Sequence, residues 1–223
     1  MRIATSQRQF AVQGFAKAVR MALAAAPLLA GLAFAPAVQA QTLASLPVAP
    51  SAIEAVGEAR PITAWVDFCQ TYAAECAVDR REPAVIALNA ANWGAIVSIN
   101  RRVNKSVRAV TDVEHLHVAD RWDLAEDGSG DCEDFQLLKR KLLTEAGLPR
   151  RAMRMTVVID EKGEGHAVLT LVTDRGDLIL DNKTNTVLPW RQTGYTFIKR
   201  ESQNAVAWVS LGRAVSPVTT ANR

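Results

Sequence analysis

The hydrophobic period of the chain changes at Gly147-Leu148-Pro149, and that change restricts the possible folds more than any other feature of the sequence. Before it, Phe135, Leu138, Leu142 and Ala146 recur at i, i+3, i+7 and i+11, the spacing of one buried helical stripe. Asp131 stands where an N-cap belongs, with Asp134 three residues on as an acidic form of the capping box, and Gly147 and Pro149 supply the stop. After it the period falls to two. Strands are expected over 153–159, 166–172 and 177–181, joined by the turn stretches DEKGEG and TDRG, with two more over 195–199 and 205–211. Upstream, helices are expected from 62 or 63 to 72 and over 83–104, the second interrupted near Gly94. Helices followed by an antiparallel meander define an α+β fold.

Residues 1–40 read as a segment that is removed. Arg2, Arg8, Lys17 and Arg20 precede the apolar run 21–35, and Val38-Gln39-Ala40 offers small residues where a signal peptidase cuts. A membrane anchor is the alternative, but Pro27, Gly31 and Pro36 interrupt the run and leave it short of the ~20 residues a bilayer requires. No permanent membrane anchor is therefore expected after signal cleavage. These forty residues hold four Lys or Arg and no Asp or Glu, so 22 basic residues face 23 acidic ones in the remainder. The basic balance belongs to export and gives no ground for a nucleic-acid partner. A linker or packed N-terminal arm is expected over 41–60, one domain over 61–213 and a flexible tail over 214–223. The place is periplasmic or secreted.

In that compartment Cys69 and Cys76, seven apart, are expected to form a disulfide, with two buried free thiols as the alternative. Cys132 is left over, and an unpaired thiol in an oxidising compartment is a liability unless its reactivity is used. It opens the helix of GDCEDF, where unpaired backbone N–H groups favour a thiolate. If the turn at 173–176 pairs Val172 with Asp177, Val168 lies opposite Asp181, and His166 becomes a diagonal neighbour of Asp181 on the same face. A slip of one residue would separate them. A cysteine at a helix start, with a histidine and an acid to orient it, is the arrangement a sulfur nucleophile requires. His115 and His117 in EHLH, with Asp112 or Asp120, form a weaker pattern. No cysteine or third histidine stands at zinc-ligand spacing, and two structural histidines are the preferred reading. The basic run RRVNKSVR reads as a solvated helix face, and Trp93 and Trp122 as cleft walls or core.

The blocks GDCEDF, GEGHAVLTL and LILDN, in that order, resemble those of the bacterial transglutaminase-like cysteine peptidases, the group that contains the periplasmic LapG-type proteases. The resemblance runs from about Trp93 to Trp190. It implies a papain-like or transglutaminase-like fold in which N-terminal helices and a catalytic helix pack on the sheet. Cys132 would be the nucleophile, His166 the base and Asp181 the orienter. The upstream stretch TDVEHLHVADRWDLAEDGSG departs from the adhesin-cleaving members, so a particular substrate is not carried over.

The three carboxylates Asp131, Glu133 and Asp134 surround the thiol, and bare negative charge there opposes its ionisation. An ordinary solvated, capped first turn is one explanation. A calcium ion held by these oxygens is the other, since hard oxygen donors suit it and the resemblance implies calcium dependence through Asp131 and Glu133. The expected function is thus a calcium-dependent cysteine endopeptidase acting through a thioester on a protein substrate, such as a cell-surface protein. Transglutamination or amidase chemistry on cell-wall peptides, and a non-catalytic calcium-responsive binding protein, are the alternatives.

Overall fold

The computed structural model describes residues 41–46 and 51–215; the expected signal segment and residues 216–223 lie outside the described residues. Five helices are described, α1 (Thr63–Thr71), α2 (Ala73–Cys76), α3 (Ala90–Ser106), α4 (Asp112–His115) and α5 (Cys132–Glu145). The strands are β1 (Gly57–Ala59), β2 (Arg108–Ala109), β3 (Ser129–Gly130), β4 (Met153–Ile159), β5 (Gly165–Thr173), β6 (Gly176–Leu180), β7 (Leu188–Pro189), β8 (Thr196–Glu201) and β9 (Trp208–Val215). Seven of them form one antiparallel sheet in the order β1-β9-β8-β4-β5-β6-β7, and β2 and β3 form a short parallel pair just ahead of α5.

Alternation along the strands sorts the core. Met153, Met155, Leu169, Leu171, Leu178 and Leu180 face the layer of α1, α3 and α5, where they meet Trp65, Phe68, Ile96 and Phe135. Val158, Val168, Ile179 and Phe197 face the other way onto Ile53, Trp190, Tyr195 and Leu211. The central strands are thus covered on both faces, and β6 is buried from end to end. The turn between β5 and β6 sets their register. Asp174 and Arg175 are its two central residues, and Gly176 has φ of 92° with Ser51 so close that a Cβ would stand 2.5 Å from its nitrogen. Val172 accordingly pairs with Asp177, the register read from the sequence.

Three expectations need correction. The second helix begins at Ala90, not at 83, because the Asn89 side chain accepts hydrogen bonds from the N–H groups of Ala91 (2.9 Å) and Asn92 (3.0 Å) while Asn92 Oδ1 accepts the Asn89 N–H (2.9 Å). Residues 83–89 ahead of it are non-helical, with Ile86 bridging to β5, and the helix passes through Gly94 without a break. The stripe Phe135, Leu138, Leu142, Ala146 is only part of the buried face of α5: Phe135 is buried and Leu138 and Leu142 pack half-buried against the core, but Ala146 is exposed and Gln136, Leu137, Lys139, Arg140 and Leu143 are buried as well. The helix is enclosed by α3 and the sheet, so polar residues also turn inward. Arg140 meets Glu201 at 2.6 Å, and Glu201 also accepts the Trp65 indole N–H at 2.6 Å and the Met155 N–H at 3.0 Å. Finally, the last strand is β9 from Trp208, later than 205–211, and it carries Ala214 and Val215 as pairs of β8.

The Cys69–Cys76 disulfide is formed and ties α1 to α2. Within the segment expected as linker or arm, β1 pairs with β9, and the Ile53 N–H donates to Asp177 at 2.9 Å. Among the described residues no helix is long and apolar enough to cross a membrane.

Candidate active site

The start of α5 is built around a close approach. A Cβ on Gly130 would stand 2.5 Å from Asp134 Oδ2, so only glycine lets the chain enter the helix at this angle. Asp131 takes the N-cap position and Cys132 the first turn. Asp134 folds back: its Oδ2 accepts the Asp131 N–H at 3.2 Å and its Oδ1 the Asp123 N–H at 2.8 Å. It thereby staples the segment before the helix to the helix itself. Asp131 Oδ1, by contrast, is buried with no hydrogen-bond partner.

Cys132 is the free cysteine among the described residues. Its Sγ donates to Glu133 Oε2 at 3.1 Å and accepts the Ala167 N–H of β5 at 3.4 Å. The second contact sets the sulfur against the strand one residue from His166. Burial, and after it the Glu133 carboxylate, push the thiol up, while the Ala167 N–H works the other way. The acid cluster thus opposes thiolate formation at a helix start that would otherwise favour it.

His166 and Asp181 stand where the hairpin register brings them. His166 Nε2 lies 2.9 Å from Asp181 Oδ1, and both side chains are buried. Burial works to raise the Asp181 pKa, yet the His166 hydrogen bond and charge, the Lys183 N–H at 3.0 Å and the Tyr195 hydroxyl at 2.6 Å from Oδ2 hold it below the ordinary value. The ionised carboxylate can only accept, so Nε2 carries the proton and Nδ1 is left to exchange one. Tyr195 was not singled out in the sequence. It follows the turn at Gly194 and closes on Asp181 from the far side of the hairpin, packing its ring 5.8 Å from the His166 imidazole at 79°. Burial, and then the neighbouring Asp181, keep its phenol protonated.

The acidic cluster is wider than the first turn of α5. Three groups set ligand atoms within 4.8 Å of one another: Asp131, Cys132 and Glu133; Asp112, Asp131 and Asp134; and Asp112, Asp120 and Glu133. Asp112, which begins α4, and Asp120 therefore join the three carboxylates read from sequence. Burial, and after it Asp131, push Glu133 up to about 10, and burial pushes Asp134 up to about 8 against the backbone N–H groups it accepts. So many oxygens at this depth repel one another and call for a counter-charge. Asp131, Glu133, Asp112 and Asp120 supply hard oxygen donors of the kind calcium takes, and the orphaned Asp131 Oδ1 is free to serve. Asp134 has both oxygens engaged by backbone N–H groups and is a positioning residue first. His115 and His117 join none of these groups; His115 pairs with Asp127 at 2.9 Å. Trp93 is core, its indole N–H on the Gln41 carbonyl, whereas Trp122, also buried, lines a cavity together with Asp120.

A family model described as bacterial transglutaminase-like cysteine proteinase, BTLCP, matches residues 55–215, more than half of the chain. No curated protein matches it. Solved structures of Legionella pneumophila LapG are similar. One is 23% identical, with a TM-score of 0.47, covering 56% of this chain and 70% of that one. An EGTA-treated form is 25% identical with a TM-score of 0.44 over 49% and 62%, and a calcium-bound form 23% identical with 0.47 over 58% and 75%.

Proposed function

Because the chain belongs to the bacterial transglutaminase-like cysteine proteinase family and is a cysteine peptidase, we propose that it is an exported, calcium-dependent endopeptidase whose triad is Cys132, His166 and Asp181. The observation that carries this reading is the buried His166–Asp181 pair at 2.9 Å beside a helix-start sulfur docked on the next residue of the same strand. In the proposed reaction His166 Nδ1 takes the Cys132 proton as the sulfur attacks a peptide carbonyl. Backbone N–H groups at the start of α5 stabilise the oxyanion. The C–N bond breaks as the imidazolium returns its proton to the leaving amine, and a thioester remains. Water, deprotonated by the same nitrogen, then releases the acyl group as an acid and restores the thiol. Asp181 stays ionised throughout and fixes the ring. The substrate is a protein, and an exposed segment of a cell-surface protein fits an enzyme placed in the periplasm or outside the cell.

Asp131, Glu133, Asp112 and Asp120 would hold the calcium. Bound there, a dication offsets the negative charge packed around the nucleophile. EGTA is expected to suppress turnover, calcium to restore it better than magnesium, and Asp131→Ala to lose both the calcium heat in calorimetry and the activity. Full turnover in EGTA would return the carboxylates to capping. The reading as a whole is tested by incubating wild type and Cys132→Ala with outer-membrane and secreted fractions and sequencing new peptide termini. New termini with wild type alone are expected. Identical termini with both proteins would end it.

A further inference from the structure

A groove leads away from the acidic cluster. Between α1 and the segment before α5 lies a cavity of 280 Å³ walled by Phe68, Tyr72, Trp122 and Val118, with Asp67 and Asp120 on its lining. A second cavity, of 240 Å³, continues it, sharing Tyr72 and Arg121 and adding Leu124, Asp123, Glu126 and Asp127. Its inner end lies beside the nucleophile: Asp120 and Glu133 set carboxylate oxygens within 4.8 Å of each other, and Glu133 accepts the Cys132 thiol at 3.1 Å.

Four observations mark this as a place built to receive something. Val118 is 42% exposed and stands beside three aromatic rings on the cavity lining. His117 (φ 60°) and Ala125 (φ 47°) are the positive-φ non-glycine residues of the described chain, and they bracket the groove wall, with Ala125 in a backbone region such residues seldom adopt. That wall is fastened from behind, for the Arg121 N–H donates to Asp112 and the Asp123 N–H to Asp134 at 2.8 Å. Finally, the two cavities carry five carboxylates against the single guanidinium of Arg121. Asp127 is engaged by His115, but Asp67 and Glu126 are exposed to whatever enters.

We propose that this groove is the subsite through which the substrate polypeptide runs away from the scissile bond, and that it selects an aliphatic side chain for the aromatic half and a lysine or arginine for the acidic half. The proposal rests on the peptidase reading, which makes a polypeptide the occupant. Charge complementarity supplies the rest. An extended chain presents successive side chains to alternate sides, so an aliphatic and a basic residue two apart would both reach the wall.

The test separates binding from cutting. Cys132→Ala protein, in calcium buffer, is titrated with short dye-labelled peptides that have an Ala/Gly-rich core and a Lys, norleucine or Glu walked outward from it, and anisotropy is read. On one side of the core, Lys peptides are expected to bind about three- to tenfold tighter than Glu peptides. Asp67→Lys with Glu126→Lys is expected to invert that order, and Glu58→Lys on β1 to leave it alone. Equal binding of Lys and Glu peptides, a preference that survives the double reversal, or no binding of any peptide at millimolar concentration overturns the subsite. Selective binding of peptides that wild type never cleaves keeps the groove as a peptide site and removes the peptidase reading.

Discussion

Replacing Tyr195 by Phe removes one oxygen and leaves the ring. The phenol donates to Asp181 Oδ2 at 2.6 Å, one of three hydrogen bonds that hold this carboxylate, which is 2% exposed. A hydrogen bond to a charged group contributes about 1.5–3 kcal/mol. The ring of Phe keeps its packing against His166 and the second core cluster, so the loss is confined to the carboxylate. At 1.36 kcal/mol per unit, Asp181 is expected to rise by about one to two pKa units. It stays ionised at neutral pH but is less firmly oriented, and kcat is expected to fall about 10- to 100-fold with KM little changed. Stability responds with a defined sign. The depressed Asp181 contributes stability that is present above its unfolded pKa, near 3.9, and lost as pH falls through its folded value. The gap in Tm between wild type and variant is therefore expected to be widest near neutral pH and to narrow in acid. A kcat within twofold of wild type, on the substrate identified by terminal sequencing, would refute the assignment of Tyr195 as the residue that steadies Asp181.

Glu201→Gln leaves Arg140 buried without its counter-ion and is expected to cost about 3–5 kcal/mol in urea unfolding, whereas an unchanged midpoint would mean that water reaches the guanidinium. Lys139 is buried with no hydrogen-bond partner for its Nζ, and burial drives it down to about 7 although Asp181 opposes. The unfolded chain therefore holds a proton, from about 7 up to the free lysine value, that the folded chain lacks, and stability rises with pH through that window. Lys139→Met is accordingly expected to raise Tm at mildly acid pH and to lose that advantage in alkali; a Tm difference independent of pH would contradict this. Replacing Cys69 and Cys76 by Ala opens a short loop and is expected to cost about 2–3 kcal/mol while Cys132 labelling is unchanged.

The parts of the site legible in the sequence are those placed by a tight turn or by a helix-capping signal. The two-residue turn at Asp174-Arg175 fixes which side chains of β5 and β6 share a face, and His166 and Asp181 follow from counting. The helix start followed from Asp131, Asp134 and the stop at Gly147 and Pro149. Asp112 and Asp120 were legible only as neighbours of two histidines, because the segment 111–130 has no period and its backbone is steered by bonds from the Arg121 and Asp123 N–H groups to the Asp112 and Asp134 side chains, which periodicity does not register. Tyr195 reaches Asp181 across a hairpin edge that no spacing rule describes. The buried face of α5 was misread for a similar reason. Periodicity counts apolar residues, and this helix turns Arg140 inward because Glu201 waits on β8, and buries Lys139 beside it. The first residues of the expected helix at 83 failed for a local cause, since Asn89 and Asn92 form a start signal that outweighs the apolar residues before it.

The claim that His166, held by Asp181, activates Cys132 is tested most directly by the rate at which iodoacetamide alkylates Cys132 at neutral pH in calcium buffer, followed by peptide mass spectrometry. Wild type is expected to react fast and at Cys132 alone. His166→Ala should slow the reaction at least about tenfold, the loss of one well-placed base, with Asp181→Asn between the two. Equal rates in wild type and His166→Ala would contradict the triad.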